Sequence, residues 1–67
     1  MKLNHEKLLS TIEGKMENEG LNQREAAYQM DLSQGIFRRL RQYKKLQLET
    51  YLKITNWLKT DLKEYLV

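Results

Sequence analysis

Cysteine and proline are both absent from these 67 residues, glycine occurs three times and valine once. Without cysteine there is no disulfide framework and no thiolate zinc site to staple so small a chain. The lack of cysteine also fits a cytosolic setting. Missing proline and scarce valine, set against abundant Leu, Lys, Glu and Gln, favour helix over strand. No apolar run approaches the roughly 20 residues of a membrane span. The opening Met1-Lys2-Leu3-Asn4-His5-Glu6 lacks the apolar stretch of a secretory signal. What remains is one small domain over residues 1–67, with 40% hydrophobic residues to build a core.

Charge is also missing locally. Residues 34–45 hold five Lys/Arg and no acid, whereas residues 1–33 hold four Lys/Arg against six Asp/Glu and residues 46–67 hold three of each. The net charge of +3 is therefore concentrated in Gln34–Lys45. A basic patch confined to one stretch of a helical protein is the electrostatic footprint of a polyanion binder, and equally of a solvated basic face.

Spacing predicts five short helices. The first runs from about His5 to Asn18, capped by Asn4, with Leu8, Leu9, Ile12 and Met16 on one stripe and Gly20 ending it. Gly14 within it marks either a close contact or a tolerated glycine. Asn22 with Glu25 three residues on opens a second helix carrying Ala26, Ala27 and Met30. Asp31-Leu32-Ser33 reads as a tight turn, with Asp31 left-handed, Leu32 plugged into the core and Ser33 capping a third helix over Gln34–Gln42. Phe37 and Leu40 are the buried pair of that helix, with Arg38, Arg39 and Arg41 on its other sides. A basic connector, Tyr43–Gln47, leads to a fourth helix over Leu48–Lys59 with the stripe Leu48, Tyr51, Ile54, Thr55 and Leu58. Asp61 with Glu64 opens a fifth helix carrying Leu62, Tyr65 and Leu66.

Catalytic and metal chemistry have no foothold. The carboxylates are scattered, and Ser10, Thr11 and Ser33 have no histidine–acid partner. His5 stands alone and is read as a surface residue. No P-loop, dinucleotide fingerprint or metal spacing occurs, so neither an enzyme nor a cofactor or small-molecule ligand is expected.

The stretch Gln23-Arg24-Glu25-Ala26-Ala27-Tyr28-Gln29-Met30-Asp31-Leu32-Ser33-Gln34-Gly35-Ile36-Phe37-Arg38-Arg39-Leu40 resembles the helix-turn-helix of lambdoid phage repressors, Cro proteins and the wider xenobiotic-response-element family. Gln23, Ala27, Asp31, Leu32, Ser33-Gln34, Phe37 and Leu40 fall in the family register. The likeness continues through Leu48–Leu58 and Asp61–Leu66, so only the first helix is matched by pattern alone. Three positions depart from it. Asp31 replaces the usual turn glycine, Arg41 sits where the family often has Glu, and Tyr43 where glycine often ends the helix.

The resemblance implies an all-α, lambda-repressor-like domain that binds double-stranded DNA and regulates transcription, at the nucleoid in the cytoplasm. Gln34, Gly35, Ile36, Arg38 and Arg39 would face base edges, Gln and Arg being the side chains that pair bidentately with adenine and guanine. Gln23, Ser33, Gln42, Tyr43, Lys44 and Lys45 would hold phosphates and set register. Trp57, off the core stripe of the fourth helix, joins Leu62, Tyr65 and Leu66 as an expected homodimer face on a palindromic operator, unless the chain's own ends cover it. A factor this compact suits a phage or mobile-element regulator, a restriction–modification controller or an anti-CRISPR operon autorepressor. The competing reading is a protein-binding module on the same fold, such as an antitoxin or inhibitor.

Overall fold

The structure, a computed structural model, describes residues 3–66. Four α-helices follow in chain order: α1 His5–Glu19, α2 Gln23–Gln29, α3 Ile36–Arg41 and α4 Leu48–Leu58. The expected fifth helix is instead a single 3₁₀ turn, Leu62–Tyr65. Its Asp61–Glu64 capping box forms as expected, with Asp61 N–H donating to Glu64 Oε2 at 2.9 Å. The helix stops because Leu66 turns extended and pairs with Leu3 in an isolated antiparallel bridge. Asn4 N–H donates to the Tyr65 carbonyl and Lys7 Nζ to that of Glu64, which ties the two ends of the described chain together. No strand is present among the described residues, and no helix there is long and apolar enough to cross a membrane.

Local chemistry accounts for the start of α1 and α2. Asn4 Oδ1 accepts from Lys7 N–H at 3.0 Å, and Glu6 sits in the first turn where the helix dipole favours negative charge. Asn22 and Glu25 close a reciprocal capping box at 2.8 and 3.1 Å. Gly14 meets nothing within 4 Å of where a Cβ would stand, so it marks no close contact.

All four helices end the same way. A left-handed residue follows each helix, and paired backbone bonds reach back three and five residues, as in the Schellman motif. In α1 these run from Gly20 N–H to Glu17 O and from Leu21 N–H to Met16 O. Only this first stop uses glycine, at φ 67°. Asp31 (φ 60°), Tyr43 (φ 55°) and Lys59 (φ 58°) hold the same conformation after α2, α3 and α4, a region that costs a side-chain-bearing residue about 1–2 kcal/mol. Asp31 and Tyr43 are two of the positions where the sequence departs from the helix-turn-helix pattern it resembles, which has glycine there.

The core draws on every element. Leu8 and Ile12 of α1, Ala26 and Ala27 of α2, Phe37 and Leu40 of α3 and Ile54 of α4 are buried. Leu32 packs on this cluster from the turn, as do Leu9 and Met16 from α1. Leu46, inside the basic connector, is buried as a further plug. Thr55 is buried too, its hydroxyl donating to the Tyr51 carbonyl at 3.0 Å. One member of the expected α4 stripe is misplaced. Leu48, the first residue of the helix, is 63% exposed, and Leu52 one turn later is exposed as well.

Candidate nucleic-acid interface

α3 is presented by what lies behind it. α1 packs more extensively against α3 than against any other element. Phe37 and Leu40 face inward as the sequence predicts, and Ile36 joins them at 4% exposure. The expectation that Ile36 faces base edges is thereby corrected, because its side chain belongs to the core.

The helix also begins differently from the sequence expectation. Ile36 N–H bonds to Ser33 O at 3.1 Å and Phe37 N–H to Gln34 O at 3.4 Å, both i to i−3. The first α-type bond is Arg39 N–H to Gly35 O at 3.2 Å. The entry is thus a 3₁₀-like turn. For the same reason α3 starts at Ile36 rather than Gln34, and Ser33 makes no cap. Gly35 holds the N-cap position with no side-chain hydrogen bond. A capping box from Ser33 would need Glu or Gln at position 36.

The outward face is basic. Arg38 and Arg39 are exposed on α3, and Lys44 and Lys45 are exposed just beyond it. None of these four forms an ion pair within 4.0 Å of a described residue. Arg41 differs, since its guanidinium lies 3.8 Å from the Glu13 carboxylate of α1, with both side chains 53% exposed. Ser33, Gln34 and Gly35 are exposed at the entrance to α3, Gln42 and Tyr43 are exposed at its exit, and Gln23 is half-buried at the start of α2. A Cβ on Gly35 would touch only Ser33 Oγ, at 3.8 Å, and its φ of −62° suits any residue. The fold therefore does not require glycine there.

The connector after α3 is held from two sides. Tyr51 of α4 accepts the Leu46 N–H on its hydroxyl oxygen at 2.9 Å, and His5 Nε2 of α1 lies 3.1 Å from the same oxygen. The His5 ring also stands 6.1 Å from that of Tyr43, in a tilted arrangement. His5 is thus half-buried and bonded, not the free surface residue the sequence predicts. A lone apolar residue in a polar run was available as the signal for Leu46, but nothing local marks the His5–Tyr51 pairing.

The expected dimer face is largely engaged within the chain. Tyr65 is 2% exposed and its hydroxyl bonds Thr60 Oγ1 at 2.9 Å, which removes it from any pairing surface. Leu62 and Leu66 are half-buried. Trp57 is half-buried, donates from Nε1 to Gln29 Oε1 at 2.8 Å, and carries Lys15 Nζ 4.5 Å above its ring. Among the described residues no group of His, Cys, Asp and Glu is placed to hold a metal ion. No family model, curated protein or solved structure matches this chain.

Proposed function

We propose that the chain is a sequence-specific DNA-binding transcriptional regulator, a repressor of phage or mobile-element type, whose α2, Met30–Gly35 turn and α3 work as a helix-turn-helix. The observation that carries this reading is the division of α3. Its inner side is fixed in the core while Arg38 and Arg39 stand outward without a carboxylate partner among the described residues, next to Lys44 and Lys45. An α-helix with its side chains is about 10–12 Å across and fits a major groove about 12 Å wide. Gln34, Arg38 and Arg39 read base edges in this account. Gly35 lets the backbone come close, which is a use for a glycine that the fold itself does not demand. Gln23, Ser33, Gln42, Tyr43, Lys44 and Lys45 grip phosphates.

Partnership follows from size. The longest dimension is 32 Å, and half-sites on one face of a duplex lie about 34 Å apart. One chain then covers one half-site, and a palindromic operator calls for two. The pairing face is drawn from the partly exposed Trp57, Leu62 and Leu66, without Tyr65.

Selection of bound duplexes from a random pool, followed by sizing of the complex, tests this directly. The expected result is a palindromic consensus with two chains bound. Arg39→Ala and Gln34→Ala should each cost about 1–3 kcal/mol on that consensus and relax base preference at one position. If no duplex is selected, and a protein partner binds wild type and the Arg38/Arg39 variants alike, the domain is a protein-binding module instead.

A further inference from the structure

We infer that His5 and Tyr51 are positioning residues that hold the basic connector Tyr43–Gln47 in the shape from which Lys44 and Lys45 meet the phosphate backbone. This inference rests on the DNA-binding reading of that connector. His5 and Tyr51 come from α1 and α4, 46 positions apart, and meet at 3.1 Å between Nε2 and Oη. Together they fix the connector at two points. At its start, the His5 ring lies 6.1 Å from Tyr43, the left-handed residue that ends α3. Near its end, Tyr51 Oη accepts the N–H of buried Leu46 at 2.9 Å. Lys44 and Lys45 are the two residues between those points, and both are exposed.

The hydrogen-bond directions form a relay. The Leu46 amide can only donate, so it takes a lone pair of Tyr51 Oη. The hydroxyl proton is then free to go to His5 Nε2, which accepts it when the ring proton sits on Nδ1. Removing either member leaves the other intact but frees one end of the connector. Its backbone must then be ordered at the moment of binding, which weakens binding without removing any phosphate contact.

The test uses Tyr51→Phe, His5→Ala and His5→Gln, each with Lys44 and Lys45 present and each with both changed to Ala. Affinity is measured for a mixed-sequence DNA duplex of about 20 base pairs at low salt. Leu46 amide exchange is followed by NMR on the free protein, relative to the core amides of Ile12 and Ile54. With both lysines present, Tyr51→Phe and His5→Ala should bind the duplex about tenfold more weakly. In the lysine-free background the same changes should matter less than about twofold, because the connector then has nothing to place. Tyr51→Phe should speed Leu46 exchange at least about tenfold over the core amides. His5→Gln, whose amide oxygen can stand in for Nε2 but which has no ring to set against Tyr43, should restore only part of the affinity. Equal losses in both backgrounds would reduce the pair to ordinary fold stabilisers, and unchanged Leu46 protection would remove the latch itself. A wild-type chain that ignores the duplex at low salt would instead sink the DNA reading, and the role of the pair with it.

Discussion

α1 and α3 pack against each other but owe their helical form to different causes. α1 has fifteen residues, a side-chain cap at Asn4 and a glycine in the left-handed position that ends it. Several of its charges are paired, Lys15 with Glu19 at 3.7 Å and Glu13 with Arg41 of α3 at 3.8 Å. α3 has six residues and no side-chain cap, and a tyrosine occupies the left-handed position where α1 has glycine. A helix that short does not hold in water on its own. Half of it is buried, and those contacts keep it helical. Because tertiary packing fixes α3 from behind, its outward positions have no structural duty. Arg38 and Arg39 can stand there with no partner among the described residues, and the charges of the last turn are all basic.

The contrast can be broken in several places, beginning with the largest effect. Phe37→Ala, at a position 1% exposed, should cost about 3–5 kcal/mol and unfold much of so small a domain, as read by urea titration of Trp57 fluorescence. A cost under about 1 kcal/mol would mean that α3 does not depend on its packing. The helix stops come next. Gly20→Ala should lose about 1–2 kcal/mol, whereas Lys59→Gly should gain about 1 kcal/mol, since the two share one backbone conformation. Tyr43→Gly should gain less than Lys59→Gly, because it also gives up the contact with His5. Then the caps: Asn22→Ala should lose about 1 kcal/mol, while Ser33→Ala should stay within about 0.5 kcal/mol of wild type. Equal losses would restore Ser33 as a cap. Smallest are the two glycines with ordinary φ and room for a methyl. Gly14→Ala and Gly35→Ala should each gain about 0.4–1 kcal/mol of stability. Only Gly35→Ala should weaken duplex binding, and equal binding by both would remove the close backbone approach.

The same contrast explains what could be read from sequence. Caps are local, so Asn4, Gly20, the Asn22–Glu25 box and the Asp61–Glu64 box were all legible, as was the left-handed Asp31. Phe37 and Leu40 followed from helical spacing. What long-range contacts decide was not legible. The 3₁₀ entry to α3 and the burial of Ile36 both depend on the core behind that helix. The fifth helix is cut short by a bridge to Leu3, at the other end of the chain. His5 meets Tyr51 across 46 residues, with no signature at either position. The basic face itself was plain, because an acid-free stretch needs no knowledge of the fold to be seen. The sequence did not distinguish Arg41, which finds Glu13, from Arg38 and Arg39, which find no described carboxylate.

The most direct test of the central claim is the salt dependence of binding to a mixed-sequence duplex. Wild type would be compared with a variant carrying Arg38, Arg39, Lys44 and Lys45 all changed to Ala. Each phosphate contact contributes about 0.9 to the slope of log K against log salt. Removing the four exposed cations should therefore flatten the slope by roughly 2–4 per chain, with the melting transition little changed. Binding with the same slope in both proteins, or no binding by the wild type at low salt, would contradict the account.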